Sequence, residues 1–352
     1  MRASVAARRW STSFAAAAIA GFILPFSLIA QGTSNPEGSA QTQSFGVYVQ
    51  LVEASSGTFD DVAASVRAAL EGVGWDLLAE YDAGVDAKKC AFKARVFVVH
   101  SPEYAAEVLA FGPRAAFALP LRVAVYEDEN GVHVAAVNPQ SLTRTVISET
   151  EFAEQSAAMV DALGEMTSIE FTSGLTAEQY GQMRDRGLIG KTMGIIAGGP
   201  FEGKVEKIAS VSADDATLAG VAEKVYAGMQ KMAGNDKWQT RPVYMLDLSD
   251  QDVIILGVTG DPVESKSFNI VGAGVDDTRK DLACPGLAHA AAYPIELVIA
   301  REDGRINVLL IDEMFRMKMY FEDAGKMKFA ANMKMPGSIE NEIRDKVEES
   351  LY

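Results

Sequence analysis

The chain is poor in the groups that usually hold a metal or act as a general base. Its 352 residues include three histidines and two cysteines. His100, His133 and His289 each stand alone in sequence. No His-x-x-x-His, Cys-x-x-Cys or His-acid cluster supplies the ligand spacing of a zinc or non-haem iron site. There is no Gly-x-Ser-x-Gly elbow, and neither cysteine has a recognisable catalytic context, which disfavours a hydrolase. A spatial triad leaves no such signature, so sequence alone does not exclude one. Basic residues are also scarce: 32 Lys and Arg against 48 Asp and Glu. That balance disfavours nucleic acid, whose binding depends on neutralising phosphates, and anionic lipid. It suits a soluble, self-repelling surface.

Charge is absent from Ser11 to Ala30, after Arg2, Arg8 and Arg9. A basic start, an apolar stretch and small Ala30 ahead of a polar segment read as a secretory signal over 1–30. The alternative is an uncleaved membrane anchor, although Gly21 and Pro25 interrupt the run and it is barely long enough to span. Trp10-Ser11 continues the arginine pair poorly for a twin-arginine signal, and no lipidation cysteine follows. Cleavage removes three arginines and no acid, leaving 29 basic and 48 acidic residues, a net charge of −19. The expected location is periplasmic or secreted. Residues 31–44 read as a flexible linker.

What the chain does have is a repeat. Residues 117–137 and 291–310 each give a proline, an apolar strand, an acidic turn with glycine and a second apolar strand. The segments before these hairpins correspond in order as well. Phe45 to Val52 alternates like a strand. Thr58, with Asp61 three residues on, starts a helix whose stripe is Val62, Val66, Leu70 and Val73, and Gly74 stops it. Trp75–Tyr81 and the β-branched Arg95–His100 are strands, Glu103–Ala110 a short helix and 149–166 an amphipathic helix. In the second half Lys204–Val211 is a strand, and Ser212 with Asp215 caps a helix carrying Leu218, Val221, Val225, Met229 and Met232. Val243–Leu248 and Val253–Val258 are strands, and Ser338 caps a closing helix to Leu351. The pattern predicts an α+β fold: two tandem two-layer domains, each a mainly antiparallel sheet with helices on one face. The boundaries are 45–166 for the first domain, 167–202 for a connecting segment and 203–352 for the second domain.

Cys90 and Cys284 do not occupy matching places in the two halves, so a disulfide framework repeated in each is excluded. Two unpaired buried thiols, the favoured reading, and one inter-domain bridge remain. Gly190-Lys191-Thr192 looks like the end of a phosphate loop, but Asp185 stands where that loop needs glycine.

Six of the fourteen methionines fall between residues 314 and 335. Thioethers suit Cu(I), and strand spacing would place Met317 and Met319 on one face. Met317, Met319, Met333 and Met335 are therefore the candidate metal ligands. Arg316, Lys318, Lys326, Lys328 and Lys334 interleave and oppose a cation. Phe315, Tyr320, Phe321 and Phe329 favour ordinary packing instead.

The stretches Val96-Phe-Val-Val-His-Ser-Pro-Glu-Tyr-Ala-Ala-Glu-Val-Leu and Leu119-Pro-Leu-Arg-Val-Ala-Val-Tyr-Glu resemble the domain of unknown function family 302. Residues 45–147 match the pattern well. Residues 204–310 match more loosely, through Val253-Ile-Ile-Leu-Gly-Val-Thr-Gly-Asp-Pro and Tyr293-Pro294, with an insertion at 263–290. The resemblance implies an α+β fold, often a dimer of single domains, with no established reaction and no catalytic residue to carry over. Two copies in one chain imply an internal pseudo-dimer.

The sequence thus points to an exported ligand-binding or accessory protein, leaning away from an enzyme, with no catalytic or cofactor-binding residue assigned. Its partner would be a small ligand or a protein. The alternatives are Cu(I) binding through the methionines, an enzyme using convergent carboxylates, and a purely structural role.

Overall fold

The computed structural model describes residues 45–147, 152–181, 199–234, 236–271, 279, 281–321, 323–324 and 326–352. The expected signal and linker, the start of the helix expected at 149, and Gly190-Lys191-Thr192 lie outside the described residues.

The first half opens with β1 (Tyr48–Ser55). Thr58 then caps α1 (Phe59–Gly72) by accepting from the Asp61 amide. Asp60 and Asp61 occupy the first turn, where carboxylates complement free amides and the helix dipole. Val62, Val66 and Leu70 form its buried stripe, and Gly74 turns the chain away at φ 73°. β2 (Asp76–Asp82) and β3 (Ala94–His100) follow. α2 (Pro102–Leu109) starts on a Ser101 cap with proline in its first turn. A 3-10 turn, Pro113–Ala118, and a cis Leu119–Pro120 bond lead into β4 (Leu121–Asp128), which pairs with β5 (Gly131–Val137). α3 (Pro139–Val146), α4 (Ala153–Glu170) and the short β6 (Gln179–Tyr180) complete this half. α3 was not anticipated. Leu142 and Val146 are its only large apolar side chains, too few for a periodic stripe, and the Asn138-Pro139 start signal was the clue to it.

The second half runs β7 (Val205–Ser212), α5 (Leu218–Lys231), β8 (Arg241–Leu248) and β9 (Val253–Thr259). α6 (Asp261–Val271) comes next, then a 3-10 turn, Pro285–Ala292, and a cis Tyr293–Pro294 bond. β10 (Ile295–Glu302) and β11 (Arg305–Ile311) form the second hairpin. Its two-residue turn, Asp303-Gly304, has positive φ at both positions, as hairpin turns of this twist require. α7 (Glu313–Phe321), α8 (Lys326–Ala331) and α9 (Met335–Leu351) end the chain.

Three local expectations change. The cap of α5 is Thr217, which accepts from Gly220, while Ser212 ends β7 opposite Arg305. A cap must directly precede the first helical residue, and that residue is Leu218. α9 starts at Met335, so Ser338 lies inside it and accepts instead from the Trp238 indole N–H at 2.9 Å. The methionine stretch at 314–321 is helix α7 rather than a strand.

Every strand pairing is antiparallel. The first sheet is ordered β2-β3-β4-β5-β1-β6 and the second β8-β9-β10-β11-β7, so the two share one order apart from β6. The fold class is α+β, as expected. α1 and α4 pack on the first sheet, α5 and α9 on the second. β4 also receives the second half's 3-10 turn, while β10 receives the first half's, so the two halves exchange equivalent elements. This explains why β4 and β10 are buried almost throughout instead of alternating. Burying one large apolar side chain contributes roughly 1.5–3 kcal/mol, so burial on both faces adds to what these strands contribute to stability. Among the described residues, no helix is long and apolar enough to cross a membrane.

Candidate functional site

The seam between the halves is held by charge. Arg122 of β4 donates to Glu296 of β10 at 2.6 Å, and both are at most 2% exposed. The Arg122 guanidinium also donates to the Pro294 carbonyl at 3.1 Å and to the Tyr320 hydroxyl, and it lies over the Tyr320 ring. Arg316 of α7 donates to Glu313 at 3.2 Å and to the carbonyls of Ala292 and Pro294. Two guanidiniums and two carboxylates therefore neutralise one another out of water, as buried charges require. Burial pushes Glu313 up to about 7 despite Arg316 beside it, and pushes Glu296 up against the pull of Arg122 and Arg316.

A second contact joins the β2–β3 loop to α6. Glu264 accepts from the Gly84 amide and from the Thr259 hydroxyl, each at 2.5 Å. Burial pushes Glu264 up to about 7, against those two hydrogen bonds. A Cβ on Gly84 would fall 2.4 Å from the Asp261 Cα, so the approach needs glycine. Close by, Cys90 and Cys284 form a disulfide across 194 residues, with Cα atoms 5.8 Å apart. The favoured reading of two unpaired thiols is thus corrected. The β2–β3 loop and the turn before Pro285 are brought together only by the packing of the two halves, which no sequence spacing could show.

This corner opens into adjoining cavities. One of about 300 Å³ is bordered by Lys89, both cysteines, Phe268 and Lys328. Another of about 530 Å³ is bordered by Lys237, Trp238, Lys266 and Lys334. Asp86, Lys89, Ser265 and Asn269 line both. The walls come from both halves: Asp86 to Cys90 from the first, α6 and the region around Trp238 from the second. Together they have the size of a small-molecule site.

The sequence-derived candidates lie elsewhere. Met317 and Met319 are buried in α7, and two residues along a helix are about 200° apart, so the shared-face argument drawn from strand spacing does not hold. Met333 is partly exposed, and Met335 is buried at the start of α9. The histidines are less isolated than in sequence: His133 Nε2 lies 2.9 Å from Asp128 and His289 Nε2 lies 2.7 Å from Asp323. Both pairs are buried. Among the described residues, no group of three or more His, Cys, Asp or Glu side chains is placed to hold a metal ion.

The first sheet with α1 to α4 fits a known family. Residues 51–168 match the family model described as a domain of unknown function, DUF302. One DUF302 domain is therefore present. A second copy over 204–310 is not shown. The chain is also similar to the crystal structure of an uncharacterized conserved DUF302 protein from Bacillus stearothermophilus, with 16% identity and a TM-score of 0.30. That alignment covers 36% of this chain and 98% of the other. No curated protein matches.

Proposed function

We propose that the chain is an exported, non-enzymatic binding protein: a DUF302 domain at 45–166, joined by 167–202 to a diverged second copy at 203–352, the two packed as an internal pseudo-dimer. The shared strand order, Pro120 and Pro294 at equivalent places ahead of β4 and β10, and the exchange of 3-10 turns support duplication. In a symmetric dimer equivalent surfaces make equivalent contacts, and this seam follows that rule. Export is supported by residues 1–30 and by a disulfide, which persists in oxidising compartments.

The observation that carries the binding role is the cleft at the disulfide corner, whose walls are drawn from both halves. The two carboxylates pushed up to about 7, Glu264 and Glu313, are at most 1% exposed, which favours a structural role over acid–base work on a substrate. The test is a ligand screen by thermal shift on the mature chain and on Ser265→Trp, which fills the cleft. Compounds that stabilise the mature chain and not the variant support the reading. Hits unaffected by Ser265→Trp, or the absence of any hit, oppose it.

A further inference from the structure

The cleft differs in charge from the rest of the chain. The protein has 48 acidic and 32 basic residues. Yet the two adjoining cavities are bordered by Lys89, Lys237, Lys266, Lys328 and Lys334, with Asp86 as the one carboxylate among the described residues. Among the described residues only Lys89 of these five has an ion-pair partner, Asp86 at 2.8 Å. The other four, Lys328 beside the first cavity and Lys237, Lys266 and Lys334 beside the second, outnumber the one carboxylate among the described lining residues. The five lysines come from separate places in the chain: the β2–β3 loop, the segment before β8, α6, α8 and the start of α9. A solvated basic face usually belongs to one helix or loop, whereas this set is gathered by the fold. Among the described residues no arginine lines the cavities, so the lining offers point charges rather than the planar fork suited to bidentate pairing. Ser265 and Asn269 add neutral hydrogen-bonding groups. A concavity lined mainly by one sign of charge raises the local concentration of the opposite ion.

We infer that the ligand of this cleft is a small, multiply charged oxyanion, a phosphate ester or a polycarboxylate. The inference rests on the binding role proposed above. The acidic remainder of the surface would repel polyanions too large to enter, so the site selects small anions over nucleic acid. Lys237 and Trp238 set the readout: the Lys237 ammonium lies 4.4 Å from the Trp238 ring centroid, so an anion drawing that ammonium away changes the surroundings of the indole.

The experiment is titration of the mature chain with pyrophosphate and with citrate at low ionic strength, followed by tryptophan fluorescence. The expected result is a saturable change with at least one of them, weakened by added salt because exposed charges are screened. Lys237→Gln/Lys266→Gln should weaken it about tenfold, in line with the modest worth of exposed charge pairs. Lys224→Gln/Lys231→Gln on α5 should leave it unchanged. Response to pyrophosphate alone assigns phosphate chemistry, and response to citrate alone assigns carboxylates. No saturable response to either, or equal binding by the Lys237/Lys266 variant, overturns the anion assignment. If neutral compounds then bind and Ser265→Trp abolishes them, the cleft stands and only its charge preference is wrong. Anion binding that survives Ser265→Trp overturns the site itself.

Discussion

Arg122 and Glu296 each sit two residues after a cis proline, on equivalent strands of the two sheets, and they pair with each other at 2.6 Å. In a dimer of identical domains the residue at that place would face its own copy, and like charges would meet out of water. Under the proposed duplication the two positions are free to differ, and here one carries arginine and the other glutamate. The seam thus joins the two halves through a complementary pair.

Breaking that pair leaves one charge buried alone. Arg122→Met should cost about 3–5 kcal/mol in chemical denaturation. The double variant Arg122→Met/Glu296→Leu should recover much of the loss, because Arg316 still donates to the Ala292 and Pro294 carbonyls. A double variant less stable than Arg122→Met would contradict the account.

Glu264 gives the fold a pH dependence of definite sign. In the folded chain it keeps its proton to about 7, whereas in the unfolded chain a glutamate releases it near ~4.3. The folded state binds more protons in that window, so stability falls as pH rises from about 4.3 to 7 and levels off above. Glu264→Gln mimics the protonated form: its oxygen can accept from Gly84 and its amide can donate to Thr259. It should be near neutral at pH 5 and more stable than wild type by roughly 2–3 kcal/mol at pH 8. Urea melts at the two pH values measure this.

The disulfide closes a span of 194 residues and pins the wall of the cleft. Cys90→Ala/Cys284→Ala should lower stability by roughly 2–5 kcal/mol, since the unfolded chain regains the freedom the bridge removes. Wild type in reductant should match the variant. Peptide mapping without reductant should recover Cys90 and Cys284 in one linked fragment.

Gly84→Ala tests the approach of the two halves. The added Cβ meets backbone of Asp261, which has no flexible end to move aside. A loss of about 1–3 kcal/mol is expected from overpacking, together with weaker binding in the adjoining cleft. Gly164→Ala on α4 serves as the comparison, a glycine of ordinary helical φ with nothing near its Cβ position.

Sequence showed the local structure better than the site. Thr58 with Asp61, the β-branched Arg95–His100 run and the Asp303-Gly304 turn act on their immediate neighbours, so they read correctly in isolation. Ser212 and Ser338 show the limit of such reading: each has the chemistry of a cap, but another residue directly precedes the helix. The Met-x-Met pairs suggested a strand because their spacing is two, while the burial of α7 among both halves decided otherwise. The cleft had no local signature. Lys89, Lys237, Lys266 and Lys334 are dispersed along the chain, and only the packing of two sheets gathers them. The pairing of Cys90 with Cys284 is hidden for the same reason.

The most direct test of the account is an amide chemical-shift map of the isotope-labelled mature chain, titrated with pyrophosphate or with the best ligand of the thermal-shift screen. Saturable shifts are expected in both halves at once, around Asp86 and Lys89 and around Ser265 and Asn269. Shifts confined to one half, or centred on Met317 and Met319, would contradict it.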